Sequence, residues 1–371
     1  MSQIRRVLLI QPLAGPRWRS INAYASSLAE MLREGGIEVD VAVAPWYNPP
    51  SVVRAVRIRW SHQVQFQRAA AGDYDVIHIT DHALAHHAKR LRRFAPVVVT
   101  CHDLMPFTTP GYYETAREAK LKRAFLRHSI GALRHFPAIA VSEFTRSEML
   151  GELDIDGSPV SVVPNIVRPV FRPIGRIEAE GELAQVGIVL PPGFRVLSVG
   201  NDRAYKNLPA LIEAMGHPSL AHAALVRVGA SLTGTTERLA EPLRTRRRLF
   251  ELGDISDELL ADVYAACDVL AQPSLAEGFG LPVIEAMACG LPVIASDGGA
   301  LPEVVGAAGV VVPLGGGDFP ARLARAIGET ALRREEFRAL GLARAAIYSA
   351  ASVLPRLLRA YEGAVATTSP G

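Results

Sequence analysis

Short aliphatic runs alternate with amphipathic stretches along the whole chain, and this alternation restricts the fold more than any other feature of the sequence. Aliphatic runs of three to five residues between helical patterns are typical of parallel strands that are buried on both faces. In the first half these runs lie at residues 7–10, 39–43, 76–79, 97–100 and 139–141. Right-handed β-α-β connections wind such a series into a doubly wound α/β sheet.

A second series of aliphatic runs lies at residues 195–199, 225–228, 269–271, 293–295 and 310–312. Between the two series, residues 171–192 are rich in proline, glycine and charge, which is typical of a linker. With 371 residues the chain is long enough for two cores. We therefore predict two Rossmann-like domains, 1–170 and 193–349, that face a central cleft, with a C-terminal helix in 350–371 crossing back to the first.

Composition excludes several classes of protein. The net charge of +3 is too small to indicate nucleic-acid binding, and no apolar segment is long enough to span a membrane. The three cysteines have neither metal nor disulfide spacing, which is typical of a reducing cytosol. Basic residues outnumber acidic ones in residues 1–170. This excess could form a solvated surface, or it could face an anionic acceptor or an anionic membrane. We expect a cytoplasmic protein, with a peripheral position at the inner membrane face as one option.

The most informative segment is residues 273–290, PSLAEGFGLPVIEAMACG, which follows a predicted strand. Gly278 and Gly280 let backbone amides approach a ligand closely, because glycine has no side chain to block the approach. Pro282 suits the first turn of a helix and Gly290 its end. The helix N-terminus carries unpaired amides and partial positive charge, and so predicts a binding site for a diphosphate.

Two glutamates belong to this segment. Glu277 follows the strand end, and Glu285 lies about one turn into the helix, within reach of hydroxyl groups beside the phosphate. Taken singly, Glu285 could equally complement the helix dipole and Glu277 could cap a turn. Their combination with the glycines favours a ligand site.

A second phosphate cradle is predicted at the end of the strand 195–199. Gly200 ends that strand, and Lys206 stands at the start of the next helical pattern. A glycine followed by a cation in this position suits an anionic ligand. Arg203 lies between them and is the nearest guanidinium.

The string EGFGLPVIEAMACGLPVIAS closely resembles the signature of the retaining glycosyltransferases of family four, which have the GT-B fold. The resemblance implies that Glu285 binds the donor ribose, and that Glu277 binds the transferred sugar. It implies that Lys206 binds the diphosphate, while the arginine that the family places directly after the glycine is replaced by Asn201, leaving Arg203 for that role. The backbone amides implied to bind sugar and phosphate are those of Gly278, Phe279, Gly280 and Leu281.

The same resemblance assigns the first domain to the acceptor and the second to the nucleotide sugar. His102, which follows a buried strand in residues 97–100, is predicted to lie beside the transferred sugar, with Asp103 supporting its loop. The acceptor side is also predicted to include residues at two further strand ends. Gly15, Arg17 and Trp18 follow the first predicted strand, where they could equally form a surface turn. His78 and Asp81 lie at the end of the strand in residues 76–79.

The resemblance implies transfer of a hexose from a UDP- or GDP-sugar to an acceptor hydroxyl, in surface polysaccharide or glycolipid assembly. We expect no cofactor and no metal, because Lys206, Arg203 and the helix N-terminus neutralise the leaving diphosphate. His102, Glu277, Lys206 and Arg203 are the predicted catalytic residues. A nucleotide-sugar epimerase, a sugar phosphorylase or a non-catalytic binding subunit of the same fold are the alternatives.

The acceptor is predicted to be a saccharide or a lipid-linked compound. The helical pattern of residues 115–135 gathers Lys120, Arg123, Arg127 and Arg134 on one side. This side suits an anionic acceptor or a membrane surface, and it equally suits an ordinary solvated helix face.

Overall fold

The structure is a computed structural model that describes residues 4–12, 19–44, 52–109, 112, 120, 123, 124, 127–155, 157 and 159–368. Its contacts divide the chain into two compact units. The first comprises Met1–Phe107, Tyr113–Ile166 and Ala350–Gly371, and the second comprises Thr108–Tyr112 and Val167–Ser349.

The first unit contains a six-stranded parallel sheet in the order β2-β1-β3-β4-β5-β6. Its strands are β1 Arg6–Pro12, β2 Glu38–Ala44, β3 Val76–Ile79, β4 Val97–Cys101, β5 Ala138–Ala140 and β6 Val160–Val162. Since β1 pairs with β2 on one side and with β3 on the other, the winding of the sheet reverses between β1 and β3. Ligands of open α/β sheets bind at the carboxyl ends of the strands at such a reversal.

The second unit repeats this arrangement in the order β12-β11-β10-β7-β8-β9. Its strands are β7 Phe194–Val199, β8 Ala223–Val228, β9 Leu249–Glu251, β10 Val269–Gln272, β11 Val293–Ser296 and β12 Val310–Val312. The strand β7 pairs in parallel with β8 and with β10, so the winding reverses between β7 and β10. The segments that follow β7 and β10 therefore emerge side by side.

The α-helices begin and end as follows: α1 Arg19–Glu34, α2 Val52–Ala69, α3 Ala88–Leu91, α4 Met105–Thr108, α5 Glu143–Glu152, α6 Arg176–Gln185, α7 Leu208–Met215, α8 Gly234–Thr245, α9 Asp257–Ala266, α10 Leu281–Ala288, α11 Leu301–Val305, α12 Phe319–Leu332, α13 Arg334–Ala346 and α14 Ala350–Thr368. The C-terminal helix α14 packs with α1 over one face of the first sheet. Leu28 and Leu32 of α1 and Leu357 and Tyr361 of α14 are fully buried there. Removing these side chains from water stabilises the return of the chain end to the first unit.

The structure differs from the sequence prediction at residues 171–192. This segment, predicted as a separate linker, belongs to the second unit and contains α6. Ala179 and Leu183 of α6 are buried, and α6 packs against α9. The helical pattern is inconspicuous in the sequence because only these two apolar side chains meet the core.

Candidate functional site

Two segments of the second unit meet where its sheet reverses. One follows β7 and carries Lys206, and the other follows β10 and carries Glu277. The amide of Leu275 donates to the carbonyl of Tyr205 at 2.7 Å, and Asn207 Nδ2 donates to the carbonyl of Pro273 at 3.1 Å. These bonds hold the two predicted phosphate segments against one another.

The carboxylate of Glu277 lies between these two segments and contacts residues of both. Its Oε1 accepts hydrogen bonds from Lys206 Nζ, Gln272 Nε2 and Ser274 Oγ, each at 2.7 Å. Glu277 is only 7% exposed. Burial lowers the pKa of Lys206, but the charge of Glu277 outweighs it, and the pKa of Lys206 is raised. A full positive charge therefore stands beside Glu277 at neutral pH.

The backbone of Glu277 is fixed by the segment that follows β11. The amide of Ala300 donates to the carbonyl of Glu277 at 2.9 Å. A Cβ at Gly299, whose φ is +67°, would lie 2.3 Å from that carbonyl oxygen. Only glycine suits this approach. Gly299 was not predicted as a site residue, although a glycine pair two residues after a strand end was a usable signal.

The helix α10 begins beside Glu277, as the sequence predicts. Gly280 precedes it with φ +99°, Pro282 is its second residue and Gly290 follows its end with φ +77°. A Cβ at Gly280 would lie 2.8 Å from Leu301 Cδ2. The side chain of Phe279 is buried and packs edge-on against Tyr348 at 5.5 Å between ring centroids. Phe279 can therefore offer only its backbone to a ligand, like Gly278, while Leu281 opens the helix.

Glu285 lies in the fifth position of α10 and is only 7% exposed. Its Oε2 accepts from the hydroxyl of Tyr264 at 3.1 Å, and its Oε1 accepts from Arg168 Nη2 at 3.2 Å. Burial raises the pKa of Glu285, and the charge of Arg168 opposes this shift without cancelling it. Neither partner was identified from the sequence.

The segment after β7 combines a glycine with two cations, Arg203 and Lys206, and a third cation lies on the neighbouring strand β8. Gly200 has φ +137°, and a Cβ there would lie 3.4 Å from Lys206 Cε, so the lysine side chain extends over the glycine. Arg203 is exposed. Arg227 of β8, which was not predicted as a site residue, is buried and donates from Nη2 to the carbonyls of Gly200 at 3.2 Å and Ala230 at 2.7 Å. Burial lowers the pKa of Arg227.

In the first unit, His102 follows β4, as predicted. Its Nε2 donates to the carbonyl of Thr80 at 2.8 Å, which leaves Nδ1 as an acceptor. The ring packs edge-on against Tyr24 at 4.7 Å between centroids. Burial lowers the pKa of His102. The imidazole is therefore neutral at physiological pH, and its Nδ1 can accept a hydrogen bond from a hydroxyl group.

The structure corrects the prediction that His78 lies on the acceptor side. It is fully buried, and its ring nitrogens hydrogen-bond with Tyr361 of α14 at 2.8 Å and with Thr100 at 2.7 Å. Burial lowers the pKa of His78 to about 3. His78 is therefore a neutral residue whose two hydrogen bonds join the C-terminal helix α14 to the sheet. It does not face an acceptor.

The carboxylates near His102 stabilise local turns. Asp81 caps a 3-10 helix at His82–His87 by accepting from the amide of Ala83 at 2.7 Å. Asp103 accepts from the amide of Met105 at 3.1 Å, which agrees with its predicted role in the loop, and burial raises the pKa of Asp103.

Three predicted acceptor residues, Gly15, Arg17 and Trp18, lie outside the described residues. Among the residues that the structure does describe, no group of three or more His, Cys, Asp or Glu side chains is placed to bind a metal ion. Within the same residues, no helix is both long enough and apolar enough to cross a membrane.

Comparison with protein families gives two matches that together cover most of the chain. The model described as "Glycosyltransferase Family 4" matches residues 21–170. The model described as "Glycosyl transferases group 1" matches residues 193–331. The first match ends shortly after the first unit gives way to the second at Val167, and the second match lies within the second unit.

Curated relatives cover nearly the same length. The O-antigen chain mannosyltransferase B of Escherichia coli is 27% identical over 84% of this chain and 80% of its own. The MMP alpha-(1->4)-mannosyltransferase of Mycolicibacterium hassiacum is 28% identical over 80% of this chain and 72% of its own.

Among solved structures, the sucrose-phosphate synthase of Thermosynechococcus elongatus matches with a TM-score of 0.74 at 22% identity, over 98% of this chain and 100% of that one. HepE of Anabaena, solved with UDP and glucose, matches with a TM-score of 0.71 at 18% identity, over 96% of this chain and 99% of that one. These matches identify the two-domain GT-B fold.

Proposed function

Because the chain belongs to the family 4, group 1 glycosyltransferases, we propose that it transfers a hexosyl group from a UDP- or GDP-sugar to an acceptor hydroxyl with retention of configuration. The observation that carries this proposal is the meeting of Lys206 and Glu277 at the reversal of the second sheet, beside the N-terminus of α10. A cation whose side chain is only 13% exposed suits the diphosphate, and an adjacent carboxylate suits the sugar hydroxyls.

The proposed reaction needs no protein nucleophile. The bond between the anomeric carbon and the diphosphate oxygen breaks, and the charge that develops on that oxygen is stabilised by Lys206, Arg203 and the amides at the start of α10. The acceptor oxygen bonds to the same face of the anomeric carbon, and its proton passes to the departing diphosphate. In this proposal Nδ1 of the neutral His102 accepts a hydrogen bond from a hydroxyl of the transferred sugar.

We expect transfer to persist in excess EDTA. Lys206 and the helix N-terminus supply the positive charge that a divalent cation would otherwise supply at the diphosphate. Initial rates with and without chelator, on protein passed through a chelating resin, test this prediction. Loss of activity in EDTA that magnesium or manganese restores would contradict metal-independent transfer.

Mannose is the first sugar to examine, because both relatives described above are named mannosyltransferases. We propose a saccharide or lipid-linked acceptor in surface polysaccharide or glycolipid assembly. Calorimetric titration with UDP, GDP, UDP-glucose and GDP-mannose, followed by product analysis with sugar acceptors, tests the proposal. Absence of binding to every nucleotide, or conversion of the donor without an acceptor into an epimer, would refute transferase activity on these donors.

We also propose that the first unit contacts anionic lipid while it acts on a lipid-linked acceptor. Lys120, Arg127 and Arg134 are exposed in the first unit. Each cation near an anionic surface contributes about 1 kcal/mol.

Co-sedimentation should therefore be stronger with vesicles containing anionic lipid than with neutral vesicles, and it should weaken at high salt. Replacing these three residues with glutamine should reduce it. The matched control replaces three exposed arginines of the second unit, Arg238, Arg246 and Arg325, with glutamine. Equal, negligible binding to both vesicle types would leave an acceptor free in solution.

A further inference from the structure

Arg168 is a charged residue at the start of the second unit that the proposed reaction has not used. Its guanidinium bridges two carboxylates of that unit, Asp257 at the first position of α9 and Glu285 in α10. The ring of Phe171 covers it, with the guanidinium carbon 4.9 Å from the ring centroid. The Arg168 side chain is 20% exposed and that of Glu285 is 9% exposed. The contact is therefore shielded from water and is not an ordinary surface ion pair.

The groups around Glu285 show how much its negative charge depends on Arg168. Tyr264 and Asp257 of α9 face Glu285, and Cys289 lies one turn further, directly after the end of α10. From α13, which packs on α10, Arg338 lies beside Gly290, beyond the end of the helix. Arg168 is the cation that contacts the carboxylate among the residues described. Asp257 repels the negative charge of Glu285. Tyr264 and Cys289 remain neutral at physiological pH, because burial raises the pKa of both.

We propose that Arg168 is a positioning residue for the donor nucleotide, which holds the Glu285 carboxylate as an anionic acceptor for the ribose hydroxyls. The inference rests on the proposed function and specifies how its ribose subsite is held. Arg168 occupies one side of Oε1 and Tyr264 occupies one side of Oε2. Each carboxylate oxygen has two lone pairs, so one on each remains for a hydroxyl of the ribose.

Loss of Arg168 should alter the titration of this carboxylate. Burial already raises the pKa of Glu285, and Arg168 is the largest influence opposing it. Without the guanidinium the pKa rises further, and the acid becomes protonated at a higher pH. A protonated Glu285 accepts fewer hydrogen bonds, so nucleotide affinity should fall as the pH falls, and it should fall earlier in the variant than in the natural protein.

The experiment measures UDP and GDP affinity of R168Q, E285Q and the double variant by calorimetry across a pH series from acidic to mildly alkaline. We expect R168Q to lose about tenfold in affinity at neutral pH and more below it, since a charge-assisted contact to the ribose carboxylate is weakened. The double variant should bind no worse than E285Q, because residues that act through one another are not additive. R168K should restore most of the natural pH profile.

R176Q is the matched control, since Arg176 pairs with the buried Asp268, which keeps a second arginine partner in Arg334. Its affinity and pH profile should match the natural protein. A loss in R168Q that is equal at every pH and adds to that of E285Q would overturn the inference, as would an R168K variant indistinguishable from R168Q. Failure of the natural protein to bind either nucleotide would instead overturn the proposed function.

Discussion

Replacing Lys206 with alanine should lower the affinity for the free nucleoside diphosphate and the rate of transfer together. The variant loses a charge-assisted contact to the diphosphate that is worth about 1.5–3 kcal/mol, or roughly ten- to a hundredfold in affinity. Calorimetry with UDP and GDP and initial-rate measurements with the nucleotide sugar give both quantities. Lys89→Ala, which removes an exposed lysine of the first unit, is the matched control and should change neither.

The same substitution should lower stability, because the buried carboxylate of Glu277 keeps Gln272 and Ser274 as donors but loses its cation. The double variant K206A/E277Q should regain thermal stability without regaining affinity, because no unpaired charge is left. The pKa of Lys206 is raised, so its contribution is complete at neutral pH and is lost only as the pH rises through that pKa in alkaline solution. If K206A bound the nucleotide as tightly as the natural protein, Lys206 would not be a ligand of the diphosphate.

Much of the second unit could be predicted from local sequence. The aliphatic run at residues 269–271 is a strand, Val269–Gln272, and Gly280 and Pro282 open a helix there because their backbone preferences require no distant partner. Parallel strands then bring their carboxyl ends to one edge of the sheet, which explains why Gly200, Lys206 and Glu277 could be assigned to one region.

Other features depend on contacts that no local pattern contains. Arg168 reaches Asp257 and Glu285 across 89 and 117 positions of sequence. His78 hydrogen-bonds with Tyr361 across 283 positions of sequence. This contact shows that His78, which was predicted to lie on the acceptor side, has a structural role. A histidine at a strand end has the same sequence signal in either role, and only burial by α14 distinguishes them.

The geometry around Glu277 predicts that Glu277→Gln separates sugar recognition from nucleotide binding. In the natural protein, Lys206, Gln272 and Ser274 all donate to Oε1, so Oε2 is the atom left for a sugar hydroxyl among the contacts described. Glutamine keeps the shape but removes the negative charge. Transfer should fall about 10²–10³-fold, as when one preorganised polar contact to a reacting group is removed.

Affinity for the free nucleoside diphosphate should stay the same or increase in this variant. Lys206 no longer has the carboxylate that neutralises it 2.7 Å away, and so it attracts the diphosphate more strongly. The nucleotide sugar should gain less, because its hexose loses an anionic acceptor. Glu251→Gln, which removes a glutamate paired with Arg244 in the same unit, is the matched control and should leave transfer unchanged. If E277Q instead weakened free nucleotide binding as much as transfer, Glu277 would act by holding Lys206 in place, and its assignment to the sugar would be wrong.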